Sequence, residues 1–126
     1  MHKLGIVHRD IKLANLVQAT NDENDSRIKI VDMGFAKFLE PSQEENEFCG
    51  SPQYMAPESL LKEARYNHKV DIWATGITLF KLLNGDNEIY TPYKNVYDLN
   101  DLQELAIKMQ KEKYYEIKNN QFRDNR

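Results

Sequence analysis

The sequence predicts an α+β fold, mainly α-helical, in which a short β-hairpin precedes three helical segments. Three observations carry this. Two β-branched runs, Leu16-Val17-Gln18-Ala19 and Ile28-Lys29-Ile30-Val31, flank the polar stretch from Thr20 to Arg27 and read as a hairpin. Val70 to Leu83 is apolar around most of a helical circumference, which marks a buried central helix, and Gly85 lies where a helix would stop. Beyond Asn100, the residues Leu102, Leu105, Ala106 and Met109 share one helical face, with Asn100 and Gln103 spaced as a capping box.

The other stretches are read in order. Met1 to Val7 has the character of the end of a helix and the turn after it. From Phe35 to Tyr54 no period is convincing, and Glu40, Glu44, Glu45 and Glu47 crowd around Pro41, so a mobile acidic loop is expected. Pro57 suits a first helical turn, and Glu58 to Glu63 favours its continuation. The expected domain spans 1–115, with 116–126 as a tail.

The 126 residues suffice for one small domain. Charged residues make up 29% and the net charge is only −3, which argues against nucleic acid as a partner and against an electrostatically held membrane surface. No apolar run approaches the roughly 18 residues of a membrane span, and no leader pattern is present at the N-terminus. The single cysteine, Cys49, excludes an internal disulfide framework and reads as a small filler beside the Gly50 turn. A soluble, cytoplasmic protein is expected.

The chemistry is concentrated in His8-Arg9-Asp10-Ile11-Lys12-Leu13-Ala14-Asn15 and, at the end of the second run of the hairpin, in Val31-Asp32-Met33-Gly34. A carboxylate flanked by cations can accept the proton of a hydroxyl while the cations offset negative charge on a neighbouring group. Asp10, between Arg9 and Lys12, is the candidate base. Mg²⁺ favours hard oxygen ligands and keeps several waters. Asn15 and Asp32 offer an amide oxygen and a carboxylate at the two ends of the hairpin. Either alone would be an ordinary turn residue; together they point to a shared ion.

Gly50-Ser51-Pro52, Ala56-Pro57-Glu58 and Asp71-Ile72-Trp73-Ala74-Thr75-Gly76 follow in that order. With these strings the chain resembles the large, C-terminal lobe of a eukaryotic-type Ser/Thr protein kinase, in detail from Met1 to about Gly85 and more loosely to about Tyr115. Phe48 to Glu58 and Asp32 to Leu39 look closest to the autophagy-initiating, unc-51-like subfamily. The resemblance implies ATP- and Mg²⁺-dependent phosphoryl transfer to Ser/Thr hydroxyls of a protein substrate. It assigns Asp10 as base, Lys12 to the transferring phosphate, Asn15 and Asp32 to the metal, and Val17 and Val31 to the floor and back of the adenine pocket. Ser51 would bond near Asp10 and Lys12, with a turn hydroxyl before Pro52 as the equal alternative, and Gly34 would give the metal loop its freedom. Asp71 would accept backbone hydrogen bonds from the catalytic loop, a role that a simple helix cap would mimic in sequence. Trp73 reads as core, and His2 and His68 lack the spacing of zinc ligands.

Three departures matter. Met33 stands where the family usually has phenylalanine, an adaptable side chain in place of a rigid one. Glu47 occupies a position that in many relatives is a phosphorylated threonine received by the arginine here numbered Arg9; a carboxylate imitates that contact only in part, and the alternative is one more solvated acid in an already acidic loop. Glu58 resembles a glutamate that pairs with an arginine from later helices, which this chain lacks, so a buried unpaired charge and marginal stability are expected. No Gly-rich loop, strand lysine or helix glutamate of a small lobe is found. The chain alone is therefore expected to be inactive, and the alternative is a non-catalytic, kinase-derived binding or regulatory module.

Overall fold

The structure, a computed structural model, describes residues 1–61, 65–85 and 98–112. A 3₁₀ turn at His2–Leu4 leads through Gly5 into strand β1 (Ile6–Val7). A second 3₁₀ turn, Leu13–Asn15, enters β2 (Leu16–Gln18), which returns as β3 (Ile28–Ile30). Strand β4 (Lys37–Phe38) follows, then a 3₁₀ turn at Pro52–Tyr54 and the helices α1 (Pro57–Leu60), α2 (Lys69–Asn84) and α3 (Leu99–Glu112).

The predicted hairpin is present, with β2 and β3 antiparallel and Leu16 opposite Ile30, Val17 opposite Lys29 and Gln18 opposite Ile28. A bond from the Val31 amide to the Asn15 carbonyl (2.9 Å) continues this pairing to the ends of the strands. In the connecting loop, Arg27 hydrogen-bonds Asp25 and holds its carboxyl at about 2.

Three expectations need correction. First, the stretch from Phe35 to Tyr54 is tied down rather than a free loop. Its β4 pairs antiparallel with β1, Ile6 opposite Phe38 and Val7 opposite Lys37, and Glu45 bridges to Tyr66. Such pairing between segments distant in sequence leaves no local period to detect. Second, α1 ends at Leu60, because Leu61 is already extended, although Pro57 does open the helix. Third, α3 is capped by Asp98, whose Oδ1 accepts from the amides of Asn100 (2.8 Å) and Asp101 (3.0 Å), and not by Asn100 with Gln103.

Two apolar clusters hold these elements together. Val7, Leu39, Ala56, Tyr66 and Val70 form one; Met55, Leu60, Leu102 and Ala106 form the other. Trp73 packs against both, as a core residue, and so links α2 to α1 and α3. Full burial of a side chain such as Leu60 contributes about 1.5–3 kcal/mol.

Helix α2 is not buried all round. Val70, Ala74 and Ile77 face the core, whereas Ile72, Leu79, Leu82 and Leu83 are more than half exposed. The exposed residues fall at positions i, i+7, i+10 and i+11, one stripe of a helix, and none of the described elements covers it. No helix among the described residues is long and apolar enough to cross a membrane.

Candidate active site

The segment from His8 to Asn15 is shaped by contacts to α2 and to the hairpin. Asp71, buried in the first turn of α2, accepts the backbone N–H of His8 at Oδ2 (2.8 Å) and of Arg9 at Oδ1 (2.9 Å). His2 adds a ring contact from Nε2 to Oδ2 (2.7 Å). Asp71 is thus an acceptor for a distant loop rather than the helix cap, a position held by His68. The imidazole of His8 is fully buried; Nδ1 accepts the Asp10 amide (3.2 Å), so Nε2 carries the proton donated to the Val31 carbonyl (3.2 Å). It joins the loop of Asp10 to the stretch leading into Asp32.

Asp10 is 4% exposed and fully engaged. Ser51 Oγ donates to Oδ1 (2.8 Å), Lys12 Nζ pairs with Oδ2 (2.8 Å), and Asn15 Nδ2 donates to Oδ2 (3.2 Å) and to the Asp10 carbonyl (2.9 Å). Lys12 also donates to Ser51 Oγ (2.9 Å), closing a triangle of base, lysine and hydroxyl. Burial pushes the Asp10 carboxyl up, but the hydrogen bonds from Lys12 and Ser51, the Lys12 charge and Asn15 together outweigh it. The carboxyl stays below its ordinary value and is ionised at neutral pH.

Asn15 directs both donors of its amide group at Asp10, and its amide oxygen meets no donor among the described residues. Asp32 is exposed, has φ of 63°, and accepts the Gly34 amide (3.1 Å). An amide oxygen and a carboxylate are both hard donors of the kind that Mg²⁺ takes. Val17 and Val31 are 40% and 37% exposed, which leaves an apolar surface at the hairpin. Met33 is also exposed.

The structure brings Arg9 and Glu47 together, with Nη1 to Oε2 at 2.9 Å. Arg9 has φ of 68°, an uncommon conformation for a side chain of this size. Burial disfavours its charge, yet the bonds to Tyr66 and Glu47 outweigh burial and raise its pKa. Cys49 is half-buried with Sγ 4.0 Å from the Tyr66 hydroxyl, and burial pushes its thiol up. Glu58 is half-buried rather than buried, so water shares its charge and the full cost expected of an unpaired buried carboxylate does not apply.

Gly50 has φ of 101°, and a Cβ there would lie 2.4 Å from the Arg9 carbonyl oxygen. Both the conformation and the space require glycine. Gly50→Ala is expected to cost about 1–3 kcal/mol and to move the segment off Asp10; a urea midpoint equal to that of the wild type would show that the contact relaxes freely.

An acid dependence follows from Glu45. Its hydrogen bond and ion pair with Lys37, together with bonds from the Asn46 and Glu47 amides, hold its carboxyl at about 2, against an ordinary 4.5. The folded value is the lower one, so its contribution is complete above pH 4.5 and is lost as pH falls from 4.5 towards 2. Glu45→Gln is expected to lose less stability than the wild type over that interval, as measured by urea unfolding at stepped pH.

The description of the family model matching residues 1–124 is the protein kinase domain. The chain belongs to the protein kinase family. It is 48% identical over 80 residues to serine/threonine-protein kinase ATG1c of Arabidopsis thaliana, a match covering 64% of this chain and 11% of that protein. With serine/threonine-protein kinase atg1 of Dictyostelium discoideum it shares 43% over 104 residues, 82% of this chain and 15% of the relative. Serine/threonine-protein kinase kin-29 of Caenorhabditis briggsae is 45% identical over 85 residues, 68% and 10% respectively. This kinase chain therefore spans about a tenth to a seventh of the length of these three curated relatives. Two residues that contact the 45–49 segment escaped the sequence reading: Tyr66, bonded to the Glu47 carbonyl, and Lys37, paired with Glu45, reach it from stretches with no common local signal.

Proposed function

We propose that the chain is the large lobe of a Ser/Thr protein kinase, occupying 1–115, and that it carries the catalytic half of an ATP- and Mg²⁺-dependent phosphoryl transfer to a protein hydroxyl. The observation that carries this reading is the convergence of Lys12, Ser51 and Asn15 on the buried, ionised Asp10. Asp10 accepts the proton of a Ser or Thr hydroxyl as its oxygen bonds to the γ-phosphorus of ATP, and the bond to the bridging oxygen breaks to leave ADP. Lys12 offsets the charge on the transferring group. Asn15 and Asp32 would hold the metal, which when bound would supply positive charge to the phosphate oxygens. Val17 and Val31 give the adenine an apolar bed.

Ser51, held between Lys12 and Asp10, places a small hydroxyl where the acceptor approaches, and this supports a Ser/Thr acceptor. Positioning accounts for most of such a transfer, so the 126 residues alone are expected to be inactive. The test joins the chain to a kinase small lobe and measures γ-phosphate transfer to matched Ser, Thr and Tyr peptides with and without Mg²⁺. Mg²⁺-dependent labelling of Ser and Thr supports the proposal. Labelling confined to Tyr overturns the acceptor class, and no labelling of any peptide favours a non-catalytic module.

A further inference from the structure

The Ser51 hydroxyl that meets Asp10 and Lys12 stands at the head of the 3₁₀ turn Pro52–Tyr54. A serine in that place would ordinarily cap the turn with its side chain. Here it makes no capping bond, because the hydroxyl is directed at Asp10. What remains within the turn is the Tyr54 amide on the Ser51 carbonyl (2.9 Å) and the Met55 amide on the Pro52 carbonyl (3.2 Å). A 3₁₀ turn this short has poor hydrogen-bond geometry and holds its shape only with outside support.

That support comes from the far end of α2. Lys81, in the last turn of the helix, places Nζ over the Tyr54 ring, 5.4 Å from its centroid. A cation within about 6 Å of an aromatic centroid is drawn to the negative face of the ring, and more strongly where water is excluded. Lys81 is only 6% exposed, so water is largely excluded. Helix α2 therefore bears on both partners of the Asp10–Ser51 bond. Asp71 in its first turn accepts the His8 and Arg9 amides and fixes the loop of Asp10, while Lys81 meets the turn that carries Ser51. A helix is a stiff frame, and two loops fixed to one such frame keep a set distance between them.

We propose that Lys81 is a positioning residue: through the Tyr54 ring it holds the 51–54 turn and so keeps the Ser51 hydroxyl on Asp10, where the acceptor approaches. Its effect on phosphoryl transfer rests on the reading of Asp10 as the base, whereas its hold on the turn does not.

The experiment reads amide-exchange protection of Tyr54 and Met55 by NMR in the 126-residue chain, with the amides of α2 as internal control. Lys81→Met keeps the length of the side chain and removes its charge, and is expected to lower protection of both amides about tenfold. Lys81→Arg returns a cation to the ring and is expected to restore protection to within about threefold of the wild type. Tyr54→Phe keeps the ring and is expected to match the wild type; Tyr54→Leu is expected to lose protection at Met55 as Lys81→Met does. Combined with Lys81→Met, Tyr54→Leu is expected to add nothing, because both changes remove one contact. Unchanged protection in Lys81→Met overturns the proposal, as does an equal loss in Lys81→Arg. Should Lys81→Met open α2 as well, the half-buried Tyr54 decides: equal protection of Met55 in Tyr54→Leu and Tyr54→Phe overturns it. In the chain joined to a small lobe, Lys81→Met is expected to lower kcat for the acceptor peptide about tenfold with the KM for ATP unchanged, and Lys81→Arg to recover it. A kcat equal to that of the wild type overturns the positioning role. A wild type that transfers no phosphate would remove the phosphoryl-transfer reading and leave the exchange measurement to decide the hold on the turn.

Discussion

Asp71→Ala is expected to destabilise the chain by about 2–6 kcal/mol, about 1–3 for each of the two backbone donors it leaves without an acceptor. The His8 and Arg9 amides have no water to turn to where Asp71 is buried, and Arg9 also loses what holds its φ of 68°. Domains of this size have about 5–15 kcal/mol in total, so the alanine variant is expected to be largely unfolded or to have a urea midpoint far below the wild type. Asp71→Asn keeps one acceptor oxygen and is expected to fall between the two. A midpoint shift below about 1 kcal/mol for alanine would show that the His8–Arg9 backbone is supported by other contacts.

Asp10→Asn is expected to lower kcat for phosphoryl transfer by about 10²–10⁴ in the chain joined to a small lobe, the range that a positioned general base supplies. The amide matches the carboxylate in shape and can still accept from Ser51, so the site is retained while proton acceptance is lost. The KM for ATP is expected to change little, because the role proposed for Asp10 is on the acceptor hydroxyl rather than on the nucleotide. Loss of charge also frees Lys12, whose Nζ pairs with Oδ2 at 2.8 Å, and part of the fall in kcat reflects that second change. A kcat within about threefold of the wild type would remove Asp10 from the role of base.

Much of this site was legible in sequence because its spacing is local. Asp10, Lys12 and Asn15 occupy one short segment, and the structure gathers them around a single carboxylate. The hairpin was legible for the same reason: β-branched runs and a polar loop specify β2 and β3 without help from the rest of the chain. The span of α2 followed from its apolar content and from Gly85.

What only the tertiary structure decided lies in contacts between segments far apart in the chain. Asp71 as acceptor for His8 and Arg9, β4 on β1, and Tyr66 on Arg9 and Glu47 each join stretches with no common local pattern. The sequence alone determined which residue types could perform the chemistry and in which order they come. Their conformations, such as the left-handed backbone of Arg9, and the exposed stripe of α2 were decided by what packs against them. Periodicity reports the apolar character of a surface, whereas burial depends on the neighbour that covers it.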